Sequence, residues 1–305
     1  MNERLFFLLG LLCIGTSAPA GEFTVEEVAP GNYVHYGRHE ERSPLNLGDN
    51  ANIGFIVGER CVAVIDSGGS LAVGRALRAA VARVTALPVC YVITTHVHPD
   101  HFFGAAAFLA DRPQFVGHAH LPRALAARGK FYKRTLERDL GEAGAGSEIV
   151  VPEVLVKDGL RLDLGGRIVE VRAWPVAHTD NDLTVFDEAT STLWLADLLF
   201  LQHTPVVDGS IVGFLRVLDA LAALPAQTIV PGHGRSDADW PHVLHAQKRY
   251  LQVIVSQTRK ALKAGVTLQD AVETIGVEEA PKWVNFDTYH RRNVTGAYTE
   301  LEWEE

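Results

Sequence analysis

The stretch T-H-V-H-P-D-H, residues 95–101, follows an apolar run at 89–95 (V-C-Y-V-I-T-T) and opens a polar loop. In an extended segment alternate side chains share a face, so His96 and His98 aim at one point in space. Beyond Pro99 the chain turns, which lets Asp100 and His101 aim at a neighbouring point. Imidazole and carboxylate are ligands that zinc prefers, and three protein ligands plus water make a catalytic site rather than a closed structural one. Four ligand-type residues within residues 96–101, at the end of an otherwise apolar strand, mark a metal centre.

Upstream, the runs 52–57 (N-I-G-F-I-V) and 62–66 (V-A-V-I-D) read as buried strands ended by Gly or polar residues. Between 62–66 and 89–95, Leu77, Val81 and Val84 recur at helical spacing within 71–84, with Arg75, Arg78 and Arg83 on the wet side. This is a β-α-β unit. A second set of strand-like runs follows at 160–164, 168–174, 183–186, 193–196 and 228–230. Helical patterns lie at 214–224 and from 241 to about 263, and Thr267 with Asp270 carries a capping-box signature for a further helix. The Gly-rich segment 141–147 (G-E-A-G-A-G-S) reads as a mobile loop. The elements fall into two comparable halves, about 21–160 and 161–305, and predict a single domain layered from helices and two sheets.

Three more ligand-type residues end predicted strands: His178 in W-P-V-A-H-T, Asp197 in T-L-W-L-A-D and His233 in T-I-V-P-G-H-G. With His96, His98, Asp100 and His101 they complete the set for a two-metal site. Asp66 closes V-A-V-I-D-S-G. It is either an ordinary strand-end turn residue or an acceptor that orients a metal histidine.

The 305 residues carry 28 Lys plus Arg against 37 Asp plus Glu, a net charge of −9, and 47% are hydrophobic. That composition fits a folded globular chain and excludes a disordered, collagenous or coiled-coil one. It shows no basic stripe, so neither nucleic acid nor an anionic membrane surface is expected as a partner. A small-molecule substrate is. Arg4, the apolar run 5–14 and the Ala18-x-Ala20 ending read as a signal peptide over 1–20, cut near Ala20. The other reading is a buried N-terminal helix; the run is too short for a bilayer anchor. A periplasmic or secreted protein is therefore expected. It retains Cys61 and Cys90, which pair if their strands are neighbours and otherwise remain buried thiols.

T-H-V-H-P-D-H, A-H-T, L-A-D and P-G-H-G, in that order, resemble the metal-binding motifs of the metallo-β-lactamase superfamily, over about residues 22–305. The resemblance implies the αββα sandwich, two mixed β-sheets flanked by helices. It implies that His96, His98 and His178 hold one metal, that Asp100, His101 and His233 hold a second, and that Asp197 bridges both. Asp66 would support the metal loop. The implied cofactors are two Zn2+. The implied reaction is attack of a metal-bound hydroxide on a lactone, thioester, ester or amide, with Asp100 as the catalytic residue that binds metal and orients the nucleophile. Zinc β-lactamases generally carry Cys or Ser at the position of Asp197, a departure that speaks against antibiotic hydrolysis. Glyoxalase II and the lactonases share the Asp, but the C-terminal region does not resemble glyoxalase II's glutathione-binding helices. Residues 196–210 (A-D-L-L-F-L-Q-H-T-P-V-V-D-G-S) and 286–294 (F-D-T-Y-H-R-R-N-V) resemble the exported quinoprotein relay system zinc metallohydrolases, which implies a periplasmic quinoprotein partner. Three alternatives stay open: a sulfur dioxygenase with one Fe on His96, His178 and Asp197, a zinc β-lactamase, and a non-catalytic metal-binding accessory of a quinoprotein.

His35, His39, His118, His120, His242 and His245 read as structural or surface histidines, with 118–120 as a solvated strand end. His203, in the loop after Asp197, and His290, beside Arg291 and Arg292, either are surface charge or bind an anionic substrate group. Residues 45–52 resemble the family's mobile loop near the metals. Residues 128–140 are either an amphipathic surface helix or part of a substrate lid at about 129–141. Glu300, Glu302, Glu304 and Glu305 read as a solvated helix end.

Overall fold

Residues 62–65, 89–94 and their neighbours form a sheet buried on both faces, and that double burial sets the layering. The computed structural model describes residues 23–235 and 239–304; the signal-peptide expectation for 1–20 lies outside the described residues. The first sheet runs β1 (Glu26–Ala29), β2 (Asn32–His35), β3 (Ile53–Val57), β4 (Val62–Ile65), β5 (Val89–Thr94), β6 (Gln114–His118), β7 (Val154–Val156), each strand beside its sequence neighbour. The first four pair antiparallel, and β4 to β7 pair parallel. The second sheet runs β8 (Gly159–Asp163), β9 (Ile168–Ala173), β10 (Leu183–Asp187), β11 (Thr192–Phe200), β12 (Thr228–His233), antiparallel except for β11 with β12.

Alternation along β4 shows how the layers stack. Val62 and Val64 face α1 (Leu71–Val84), packing with Leu77 and Val81. Ala63 and Ile65 face the second sheet, packing with Val169, Val171, Val185 and Trp194. On β11, Trp194 looks inward while Leu193 and Leu195 meet the outer helices α4 (Ile211–Leu221) and α5 (Leu244–Lys263). The result is the expected αββα sandwich, two mixed sheets with helices on both outer faces. The remaining helices are α2 (Pro99–Phe102), α3 (Leu121–Leu140), α6 (Leu268–Thr274) and α7 (Phe286–Leu301), which precedes the end of the described chain. Among the described residues no helix is long and apolar enough to cross a membrane.

One polar staple crosses the apolar layer between the sheets. Asp187, fully buried on β10, accepts from Asn32 Nδ2 on β2 at 2.9 Å and from Arg167 Nε at 3.0 Å. Burial raises the Asp187 carboxyl, but the hydrogen bonds from Arg167, Thr190 and Asn32 outweigh it and hold the pKa below its ordinary value. Cys61, immediately before β4, and Cys90, on the neighbouring β5, form a disulfide, which settles the alternative left open by the sequence.

Several expectations need correction. The helix placed at 214–224 begins earlier, at Ile211, because the Ser210 hydroxyl caps it by accepting from Gly213 N–H. The helix placed from 241 begins at Leu244. Residues 141–144 form a 3-10 turn, and the buried Ser147 accepts from Leu71 N–H, pinning the Gly-rich segment to the start of α1. Glu300 is not a solvated helix end. Its carboxylate accepts from Ser210 Oγ and from Ile211 N–H, so α7 caps α4. His118 ends β6 but is buried, not solvated.

Candidate metal centre

The chain leaves β5 at Thr94, and Pro99 opens the single turn α2, with His98 as its N-cap. This tight reversal carries His96, His98, Asp100 and His101 into one space. His178 comes from the loop after β9, Asp197 from within β11 and His233 from the end of β12. All seven side chains meet at the same edge of the sandwich, where the imidazole nitrogens and carboxylate oxygens of each of two groups lie within 4.8 Å of one another. The first group is His96, His98, His178 and Asp197; the second is Asp100, His101 and His233.

In the first group, His98 Nδ1 lies 3.1 Å from His96 Nε2 and 2.9 Å from His178 Nε2. Nitrogens bound to one tetrahedral zinc would be separated by roughly 3.3 Å. In the second, His233 Nε2 and His101 Nε2 lie 3.4 and 3.8 Å from Asp100 Oδ2. Asp197 stands between the groups. Its Oδ2 is 3.4 Å from His178 Nε2 and 3.7 Å from His96 Nε2, while its Oδ1 is 3.3 Å from His101 Nε2 and 3.5 Å from His233 Nε2.

The ring nitrogens pointing away from the centre are anchored one by one, which fixes each tautomer and ring plane. His101 Nδ1 meets Asp66 Oδ2 at 2.8 Å, His178 Nδ1 the Val206 carbonyl at 2.8 Å, His233 Nδ1 the Asn50 carbonyl at 2.7 Å and His98 Nε2 Asp208 Oδ2 at 3.0 Å. Asp66 also accepts from the Thr95 N–H and hydroxyl, both at 2.8 Å, so it clamps the start of the metal-ligand loop as well as His101. Asp66 and Ala196 both adopt the left-handed region, at φ 54° and 46°. Such strained positions turn the backbone where a regular strand would carry the side chains elsewhere. Gly232 must lack a side chain: a Cβ there would lie 1.9 Å from Asp197 Oδ1.

The donor set fits cations. His101 Nε2 and Asp197 Oδ1 are buried and, among the described residues, lack a hydrogen-bond partner. Burial, then the neighbouring His98, lowers His178 to about 4, so it is neutral and free to ligate at physiological pH. Burial also lowers His96. For His101 the opposite holds: burial disfavours its charge, but Asp197, Asp66 and Asp100 outweigh it and raise the pKa. Buried carboxylates thus favour the protonated form of two of the imidazoles, His101 and His233, the electrostatics of a site that binds cations in exchange for protons.

A cleft of about 820 Å3 opens over the centre. Asp100, Asp197 and His233 lie at its floor. The loop at 45–52 borders it through Asn50, and Tyr289 and Arg292 on α7 also line it. Arg128, Phe131 and Tyr132 on α3 complete the wall. Residues 129–141 are no detached flap, since Tyr132, Leu136 and Leu140 pack in a cluster with Phe102 and Phe103. His203 lines the cleft, its ring 5.7 Å from that of His233. His290 does not: it is buried against Tyr250 and the Ile275 carbonyl, and Arg291 pairs with Glu273 outside. His39, read as structural, lies in the cleft wall. Asp208 was missed altogether; a lone Asp in a loop carries no signal until its contact with His98 is known.

The family described as the metallo-beta-lactamase superfamily matches residues 47–233, more than half of the chain. The inverting sec-alkylsulfatase Pisa1 from Pseudomonas sp. superposes with a TM-score of 0.70 at 18% identity, over 92% of this chain and 50% of that one, so this chain spans half the length of the sulfatase. A metallo-beta-lactamase from Pontibacter korlensis superposes with a TM-score of 0.58 at 16% identity, over 75% of this chain and 98% of the other. One from Erythrobacter litoralis gives the same TM-score and identity over 76% and 97%. At such identities the likeness is one of fold. No curated protein sequence matches the chain.

Proposed function

The chain belongs to the metallo-β-lactamase superfamily, and from that premise we propose that it is an exported dinuclear zinc hydrolase that cleaves an acyl bond in a lactone, thioester, ester or amide. The observation that carries the dinuclear reading is Asp197, with one carboxylate oxygen turned to each group of donor atoms. His96, His98 and His178 would hold one zinc and Asp100, His101 and His233 the other, with Asp197 shared. When bound, the metals would supply a water acidic enough to act as nucleophile near neutral pH and a Lewis acid for the acyl oxygen.

The chain's own residues do the rest. Burial raises the Asp100 carboxyl, but the neighbouring His101 and His233 outweigh it and keep it ionised, ready to bind metal and orient the attacking water. Asn50 Nδ2 approaches Asp100 Oδ2 at 3.5 Å and steadies it from the loop. Asp66 and Asp208 fix the planes of His101 and His98 from behind. The cleft floor is walled by Phe200, Val206 and Val207, which exclude bulk water from one side of the reacting group.

Export is supported by the Cys61–Cys90 disulfide, since such bonds persist in oxidising compartments. A link to a periplasmic quinoprotein system rests on the resemblance of 196–210 and 286–294. Both segments contribute to the cleft, through Phe200, His203 and Asp208 and through Tyr289 and Arg292.

Elemental analysis of mature protein purified without added metal tests the reading. About two zinc per chain are expected; about one iron would replace it with an iron dioxygenase acting on a persulfide. Esters, lactones, thioesters and β-lactams form the substrate panel, with alkyl sulfates added because Pisa1 is named a sec-alkylsulfatase. Asp100→Ala should abolish turnover and leave the fold intact. A biological role that survives this change would favour a metal-binding accessory.

A further inference from the structure

Asp208 is buried, its side chain 6% exposed, yet it holds three partners that serve different ends. Its Oδ2 faces His98 Nε2 at 3.0 Å and Arg128 Nη1 at 3.4 Å, and its Oδ1 accepts from Arg292 Nη2. Arg128 comes from α3 and Arg292 from α7, so one carboxylate from the loop after β11 gathers guanidinium groups from two separate helices beside the cleft. Each guanidinium carries five N–H donors. The bonds to Asp208 use one N–H of each, and Arg128 additionally meets the Tyr132 hydroxyl. Both guanidiniums line the cleft and are partly solvated, with side-chain exposures of 42% and 57%.

The charges do not cancel. One carboxylate stands against two guanidiniums, a net positive group presenting free donors beside the first ligand group. The other shared carboxylate of the wall, Asp139 between Arg42 and Arg138, sits on the rim and touches none of the seven centre residues. The same wall as Arg128 and Arg292 offers Val206, Val207, Phe131 and Tyr132 as apolar surface.

We propose that Arg128 and Arg292, pre-set by Asp208, form a subsite for an anionic group on the substrate, so that the preferred substrate is an acyl compound with an apolar body and a carboxylate, sulfonate or similar monoanion at one end. The inference rests on the hydrolase reading for the word acyl, but the subsite itself does not. Two guanidinium forks held in place lose little freedom when they engage an anion, and charge-assisted bonds are the strong ones. Asp208 is a positioning residue: through His98 it ties the orientation of the anion clamp to that of the metal-ligand set.

The test separates binding from turnover. Metal-loaded protein is titrated calorimetrically with butanesulfonate and with the uncharged dialkyl sulfone of equal length, neither of which can be hydrolysed. The sulfonate should bind roughly tenfold to a hundredfold more tightly. Arg292→Gln and Arg128→Gln should each remove most of that difference, with thermal unfolding as the control for folding. In parallel, the para-nitrophenyl monoester of succinate is compared with its methyl ester. The ratio of kcat/KM for acid over methyl ester should exceed ten and fall toward one in both variants. Equal binding of sulfonate and sulfone by the wild-type protein overturns the subsite, as does a preference that survives both substitutions. A sulfonate preference that depends on the arginines, with no turnover of any ester or lactone, keeps the subsite and removes the acyl hydrolase reading instead. Should both variants unfold, the wild-type pair of titrations, repeated at high salt, still decides.

Discussion

A methyl group on Gly232 would lie 1.9 Å from Asp197 Oδ1 and 2.7 Å from the carbonyl carbon of Ala196. The carboxylate could swing aside, but only by leaving the place where its two oxygens face two sets of nitrogens. Gly232→Ala is therefore expected to weaken metal binding at least about tenfold, by analogy with the loss of groups that orient ligands, and to destabilise the fold by about 1–3 kcal/mol through overpacking. Competition with a chromogenic chelator measures the first and denaturant unfolding the second. Full metal affinity in the variant would mean that Asp197 is placed by something other than the glycine. Residues of this kind explain why the centre is only partly legible in sequence. Seven ligand-type residues announce themselves by type and by position at strand ends. Asp208 and His39 do not, because a lone charged residue reads the same whether it faces solvent or a ligand.

Helix phase explains a different error. His290, Arg291 and Arg292 form one basic block in the sequence, but on α7 successive residues turn by about 100°. The helix accordingly sends His290 into the core, Arg291 to Glu273 and Arg292 to Asp208 in the cleft. The start of α4 shows the same dependence on tertiary partners. Its N–H groups at Ile211 and Val212 are met by Glu300 from α7, 88 or more residues away in sequence. Glu300→Ala should cost about 1–2 kcal/mol, as loss of a helix cap does, and loosen the docking of α7 against α4. Thermal unfolding reads the stability, and hydrogen exchange at Ile211 and Val212 should speed up together. An unchanged exchange rate there would assign the capping to Ser210 alone.

For the molecule as a whole, the sandwich was legible because parallel and buried strands carry continuous apolar runs and α1 has a clear apolar stripe. The edges were less so, since β1 has four residues and β7 three, too few for a pattern. The staple between sheets, which no local pattern marks, makes an acid-stability prediction. The folded pKa of Asp187 is depressed, so its contribution is fully present above the ordinary carboxylate value near 4 and is lost as pH falls through the lower folded value. Asp187→Ala should cost about 3–5 kcal/mol near neutral pH, because Arg167 and Asn32 lose a buried partner. The gap between wild type and variant should narrow as the pH drops below 4, and a constant gap in urea midpoints would rule out the titration. Reducing the Cys61–Cys90 bond, which closes a separation of 29 residues, should cost about 2–4 kcal/mol and leave the metal stoichiometry unchanged, since neither cysteine touches the centre.

Each sheet is built from one unbroken stretch of chain, residues 26–156 and then 159–233, and the centre lies where the two stretches meet. Four of its seven residues, His96, His98, Asp100 and His101, belong to the earlier stretch, and three, His178, Asp197 and His233, to the later. Neither stretch holds the whole set. Acquisition of a metal pair is thus a checkpoint that only the finished sandwich passes: a chain emerging amino-end first reaches the last ligand, His233, after all twelve strands have been delivered, and a fragment cut between 156 and 159 should sequester metal weakly until its complement is added back.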